Sequence, residues 1–221
     1  MSPTLTVIVP VFNEAETIDV AFRRVFTSPY DKQVIAVDDG STDGTADALY
    51  NWQDQVLVLT HRENRGKGAA IRTALAHATG RFVIIQDADL ETDPHDYPKL
   101  IEPLLAGEAD FVIGSRFLAT CKRTSRWSPF RLGIDLLNFC IRILYGVRLS
   151  DEACCYKALS TDVLRQMNLE CERFEFCPEV VAKACRLRLR FCEVPIHYSP
   201  RTRAAGKKIR CRDGVQALLT L

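Results

Sequence analysis

The sequence predicts an α/β domain in which a central sheet of mainly parallel strands is covered by helices. Three observations carry that expectation. Short runs such as Val7-Ile8-Val9 and Phe82-Val83-Ile84-Ile85 are apolar on both faces, as strands sandwiched between two helical layers must be. Helix-compatible segments alternate with these runs along the first half of the chain. Polar or glycine-rich stretches follow four of the runs, at the strand ends where ligands of such sheets bind.

The elements are expected in the following order. Strands should span Leu5 to Val11, Gln33 to Val37, Val56 to Thr60, Arg81 to Ile85 and Phe111 to Ile113, because each is a β-rich apolar run. Helices should span Thr17 to Phe26, Thr42 to Trp52, Gly68 to His77 and Tyr97 to Leu105. Ser128 to Tyr145 is strongly apolar but carries Arg131, Asp135 and Arg142, which suits either a core helix or one lying in a membrane interface. Leu187 to Phe191 alternates like a strand leading into Val194-Pro195-Ile196. Ser199 to Arg212 holds six basic residues and no acid, and reads as a basic loop. Gly214 to Leu221 reads as the start of a helix.

With 221 residues and 47% hydrophobic content, the chain can bury a substantial core and is most simply one domain. Leu5 to Val11 is broken by Pro10 and lacks a basic leader, so no signal peptide is expected, and no apolar stretch is long enough to cross a membrane. A soluble or peripheral protein is the expectation. The nine cysteines form no Cys-x-x-Cys pair and read as reduced thiols of a cytosolic protein, packed mostly as small apolar residues. The net charge of +1 hides a polarity: residues 1–110 carry 9 Lys/Arg against 18 Asp/Glu, and residues 111–221 carry 20 against 10. The halves are therefore −9 and +10, which points the second half at an anionic partner.

The most chemically specific stretch is Gln86-Asp87-Ala88-Asp89-Leu90-Glu91, where a buried strand emerges into a loop. Alternation along an extended backbone would put Asp87, Asp89 and Glu91 on one side. Three converging carboxylates repel unless a cation lies between them, and Mg²⁺ or Mn²⁺ suits an all-oxygen site serving a phosphate-bearing substrate. The competing reading is a solvated acidic loop. The loops after the other strands are Pro10 to Glu14, Asp38 to Thr45 and Asn64 to Ala70, so four such loops share one rim. A dinucleotide fold is not indicated: no glycine fingerprint follows the first strand, Gly66-Lys67-Gly68 is followed at the third position by Ile71, and there is no Walker A sequence.

This set of motifs resembles the family 2 glycosyltransferases of the GT-A fold, and within them the polyprenyl-phosphate or dolichyl-phosphate mannosyl- and glucosyltransferases. Its carriers are Val9 to Glu14, Asp38-Asp39-Gly40-Ser41, Asn64 to Gly68, Asp87 to Glu91, Gly114-Ser115-Arg116, Asp151 to Lys157 and Arg203 to Lys208. The resemblance implies a nucleotide-sugar-binding half at 1–115 and an acceptor-binding half at 116–221 with its basic loop at 199–212. It implies donor contacts from Pro10, Val11, Phe12, Glu14, Asp39, Lys67, Asp87, Ala88 and Asp89, with Asp39 at the base and Lys67 beside base and ribose. It implies metal ligation by Asp87, Asp89 and Glu91, the last often Gln in relatives. Arg116, Arg131, Arg203, Lys207 and Lys208 would gather the acceptor phosphate. Two departures stand out: Cys155 replaces a glycine of the family pattern, and Gly206-Lys207-Lys208 lacks the usual serine.

If the acceptor is a lipid phosphate, its oxygen is already anionic and needs no base, consistent with four histidines gathered in no motif. Electrostatics would then do the work, with Asp89 and Arg116 central. A saccharide hydroxyl acceptor would instead need a carboxylate base, and Asp151 is the candidate; otherwise Asp151 would hold Arg116 or cap a helix. The expected partners are a GDP-mannose- or UDP-glucose-type donor, a polyprenyl phosphate and the cytoplasmic face of a membrane. A nucleic-acid-binding α/β protein is the alternative of another class. The basic loop lacks the interleaved aromatics that stacking on single strands would need.

Overall fold

Strands that are apolar on both faces need partners on both edges and helices on both sides. β1 (Leu5–Val11) has all of these, pairing in parallel with β2 (Lys32–Asp38) and β4 (Phe82–Ile85). In the computed structural model, residues 3–118, 129–201 and 211–221 are described. β3 (Leu57–Thr60) adds to β2, and β5 (Phe111–Ser115) pairs in parallel with β7 (Phe191–Pro195). Between β4 and β5 lies β6 (Lys157–Ser160), antiparallel to both. The sheet order is β3-β2-β1-β4-β6-β5-β7, a mainly parallel seven-stranded sheet.

The helices are α1 (Ile18–Thr27), α2 (Thr45–Tyr50), α3 (Lys67–Leu75), α4 (Tyr97–Leu105), α5 (Pro129–Tyr145), α6 (Thr161–Gln166), α7 (Phe176–Arg186) and α8 (Cys211–Thr220). The alternation expected for the first half is therefore present, with ends shifted by a few residues. Nothing in the periodicity marks β6 or α7. The strand expected at Leu187 to Phe191 begins only at Phe191, because Arg188 takes a left-handed backbone (φ 55°) that ends any extended run.

α5 has two apolar sides. Ile134, Leu137 and Ile141 are buried, whereas Leu132, Leu136, Phe139, Ile143 and Leu144 are exposed. Among the described residues, no helix is long and apolar enough to cross a membrane. Seven described cysteines are unpaired; Cys154 alone is buried and the other six are half-buried, so the cysteines are less fully packed than expected.

Candidate active site

The loops at the carboxyl ends of β1, β2, β3 and β4 are stitched to one another. The Asn13 N–H donates to Ser41 Oγ at 2.9 Å, Thr42 N–H to Asn13 Oδ1 at 2.8 Å, and Glu14 N–H to Thr45 Oγ1 at 2.9 Å. Asp39 joins the next loop, accepting from Arg65 N–H at 3.0 Å and Gly66 N–H at 2.7 Å, while His61 Nδ1 lies 2.7 Å from its Oδ1. Gly66 has φ 103°, and a Cβ there would lie 2.5 Å from the Glu172 carbonyl oxygen, so only glycine fits.

The acidic loop is anchored from below by Gln86. Its Oε1 accepts from Tyr97 at 2.8 Å and from Tyr156 at 2.7 Å, and its amide donates to the Asp87 carbonyl at 2.9 Å. Above it, Lys67 Nζ pairs with Asp87 Oδ1 at 2.5 Å. Burial would lower the Lys67 ammonium, but Asp87 more than offsets this and holds it above its usual range. Asp89 is pushed up to about 7 by burial and by the nearby Asp87 charge. This aspartate lacks sufficient positive charge around it, and its hard oxygen donors suit a small divalent ion.

The extended alternation expected for the three carboxylates does not persist. Leu90 adopts φ 62°, and the loop turns there. Glu91 instead accepts from the Tyr198 hydroxyl at 2.9 Å and from Arg201 N–H at 2.8 Å, so its carboxylate holds the segment after β7. Among the described residues, no group of three His, Cys, Asp or Glu side chains is placed to hold a metal ion. Asp87 and Asp89 remain close enough for the charge of one to act on the other.

On the other side of the rim, Arg116 forms a buried fork with Asp151: Nε to Oδ2 at 2.7 Å and Nη2 to Oδ1 at 2.6 Å, with the Arg116 N–H also on Oδ2 at 2.9 Å. Burial would lower the guanidinium, and the Asp151 hydrogen bonds and charge reverse that, raising it well above its usual value. Glu193 on β7 fixes the partner loop, accepting from Ser150 N–H at 2.8 Å and Asp151 N–H at 3.1 Å. The fully buried neighbour Glu152 is pushed up to about 7, chiefly by burial, and its Oε2 has no hydrogen-bond partner. The Arg116 guanidinium also lies over the Tyr198 ring, 5.2 Å from its centre.

Several expected residues are thus placed differently from the resemblance. Asp39 spends both oxygens on its neighbouring loop rather than facing outward. Lys67 points to the acidic loop rather than lying free for a ribose. Val11 and Ala88 belong to the hydrophobic core, which leaves only their backbones for a donor contact. Pro10 and Phe12 are half-buried on the rim, and Glu14 is buried. Arg131 pairs with Asp135 at 2.9 Å and stacks on Phe117, whose ring also lies under Arg116, so the two arginines share one aromatic platform. Cys155 does not have positive φ, so the family glycine it replaces is not needed for the backbone. Arg203, Lys207 and Lys208 lie outside the described residues. Tyr198 and Glu193 carry no motif that marks them in sequence; Gln86 opens the acidic hexad and Arg201 lies in the basic loop, but neither has an expected role.

The family model for glycosyl transferase family 2 matches residues 6–167. An uncharacterised protein of Methanocaldococcus jannaschii, MJ1222, is 30% identical over 195 residues, covering 86% of this chain and 79% of that protein. Dodecaprenyl-phosphate galacturonate synthase of Rhizobium johnstonii is 30% identical over 196 residues, covering 80% of this chain. This chain spans 54% of that synthase's length. The solved structure of glucosyl-3-phosphoglycerate synthase from Mycobacterium tuberculosis, in complex with Mn²⁺, UDP and phosphoglyceric acid, superposes with a TM-score of 0.73 at 20% identity, covering 99% of this chain and 77% of the other. At that identity the likeness is one of fold. With the mainly parallel sheet and the acidic loop at its rim, the match over most of its length means that the chain belongs to the family 2 glycosyltransferases, with a GT-A fold.

Proposed function

We propose that this domain transfers a hexose from a nucleotide diphosphate sugar, of GDP-mannose or UDP-glucose type, to a polyprenyl phosphate at the cytoplasmic face of a membrane, inverting the anomeric centre. One observation carries the reading. Tyr198 touches both sides of the site, donating its hydroxyl to Glu91 at 2.9 Å while its ring lies against Arg116. A loop suited to a cation with diphosphate and an arginine suited to a second phosphate are therefore one tyrosine apart. The acceptor class is that in the name of the Rhizobium relative, and Mn²⁺ with UDP are bound in the Mycobacterium neighbour.

Mg²⁺ or Mn²⁺ would be held by Asp87 and Asp89, and bound there it would offset charge on the departing nucleoside diphosphate. Lys67 pairs with Asp87 and holds that side of the loop in place. Arg116, fixed by Asp151, presents a guanidinium whose shape matches phosphate oxygens, and Arg131 on the shared Phe117 ring adds a second. The acceptor oxygen attacks the anomeric carbon from the side opposite the leaving diphosphate, and no proton need be removed. A hydroxyl acceptor would require Asp151 as base, yet Asp151 is fully buried with both oxygens on Arg116.

A donor screen tests the proposal: UDP- and GDP-hexoses with Mn²⁺ or Mg²⁺, scoring labelled sugar in a lipid extract containing polyprenyl phosphate. Label should enter the lipid from one donor, and Asp89→Asn should abolish transfer. Absence of transfer from every donor, with saccharide acceptors labelled instead, would overturn it.

A further inference from the structure

The side of α5 that faces away from the core carries a second apolar stripe. Leu132, Leu136, Phe139 and Ile143 follow one another at spacings of 4, 3 and 4 residues, which on a helix places them within an arc of about 60°. All are large apolar side chains, yet they are 59%, 49%, 59% and 67% exposed. Ile134, Leu137 and Ile141, buried in the molecule, lie on the opposite side. This spacing alternates the a and d positions of a heptad. It makes the narrow seam through which two helices pair, not the broad apolar face of a helix lying in lipid.

The two borders of the stripe differ. Along one lie Asp135 and Arg142, seven residues apart and both exposed. Along the other lie Gly133 and Cys140, also seven apart and both small, and a Cβ at Gly133 would meet nothing within 4 Å. Two copies of α5 laid antiparallel bring like borders together. Leu136 then faces Phe139 of the second copy and Leu132 faces its Ile143. On the charged border each Asp135 meets the other copy's Arg142, and on the small border each Gly133 meets the other copy's Cys140, so the backbones can approach. Asp135 already pairs with Arg131 at 2.9 Å, but its side chain is 47% exposed and keeps room for a second donor. An open cleft of about 250 Å³, with Asp135, Phe139 and Arg142 in its lining, gives space on the charged border. A parallel pair would set Asp135 and Arg142 against Gly133 and Cys140 and leave both charges unmatched. On an anionic membrane the Asp135 carboxylate would face headgroups of its own sign.

We propose that α5 pairs with α5 of a second copy of this chain, antiparallel about a two-fold axis, through the seam of Leu132, Leu136, Phe139 and Ile143 and two reciprocal Asp135–Arg142 ion pairs. The inference does not depend on the donor or acceptor assigned above. A seam of four apolar side chains per copy is small beside the roughly 1,600 Å² of a standard interface, so the dimer is reversible and of micromolar affinity.

Sedimentation velocity of the whole chain, over a dilution series through the micromolar range, tests this, with each variant checked by thermal melting. The wild type should pass from monomer to dimer, and Phe139→Asp, which puts a charge in the middle of the seam, should stay monomeric throughout. Asp135→Arg and Arg142→Asp should each weaken dimerisation by about tenfold, and the double variant should recover to within about threefold of wild type, since reversing both signs restores each pair. If Phe139→Asp does not fold, Ile143→Asn is read in its place. A wild type that is monomeric at every concentration overturns the proposal, whether or not this face binds anionic vesicles. So does a dimer that the seam variant leaves intact, and so does a double variant that recovers nothing over the single changes.

Discussion

The Arg116–Asp151 fork couples stability to function at the level of single atoms. Both side chains are withdrawn from water, at 8% and 0% exposure, so either charge without the other is costly. Asp151→Asn should cost about 3–5 kcal/mol of unfolding free energy, read from urea denaturation midpoints. Replacing both partners with apolar residues should cost less than the single change, and a larger cost would contradict this account. The aspartates of the acidic loop were legible in the sequence because two carboxylates after a buried strand are chemically unusual. Glu91 was expected beside them as a third ligand, but its direction depends on a left-handed backbone at Leu90 that no residue type announces, and it holds Tyr198 and Arg201 instead. The contacts of Tyr198 and Arg201 with that loop were hidden for another reason: they reach it from about 110 positions away, and Arg201 was legible only as one charge of the basic loop.

Among the elements, those with continuous apolar runs were readable and those built from mixed residues were not. β1 was legible from end to end. β6 was missed because one of its four residues is Lys157, whose fully buried ammonium donates to the carbonyls of Glu152 at 2.6 Å and Cys154 at 2.5 Å rather than to solvent. α7 was obscured by Pro178 and three polar or charged positions. For α5, composition left core and membrane readings open, and the helix combines a packed side with an exposed one. Ile141→Ala, on the packed side, should destabilise by about 2–5 kcal/mol. Ile143→Lys, on a side chain 67% exposed, should change stability by less than about 0.5 kcal/mol. If this side makes the peripheral membrane contact, Phe139→Asn with Ile143→Asn should reduce co-sedimentation with anionic vesicles while nucleotide binding stays intact. Undiminished sedimentation would exclude α5 as that contact.

For the molecule as a whole, buried acids set the pH response. Glu152 has its carboxyl at about 7 in the fold against an ordinary 4.5. Between those values the native state keeps a proton that the unfolded chain has lost, so stability should fall as pH rises from about 5 to about 7. The slope per such group reaches at most about 1.4 kcal/mol per pH unit. Asp89 acts in the same direction, being raised to about 7 as well. Glu152→Gln should therefore reduce the slope of unfolding free energy against pH without removing it, and saturating Mn²⁺ should reduce what is left. A flat profile in the wild-type protein would show that neither carboxyl is held so high.

The strand order also dictates how the sheet must be assembled as the chain emerges from a ribosome. β5 is synthesised before β6 yet reaches β4 only through it. Until Ser160 has emerged, the apolar β4 has an open edge and β5 has no place in the growing sheet. Nascent chains stalled near residue 120 should accordingly remain protease-sensitive and chaperone-bound, and those carrying the first 200 residues should resist digestion. Residues 1–115 and 116–221 should therefore not fold as separate modules, because β6 from the second stretch sits between β4 and β5 of the first.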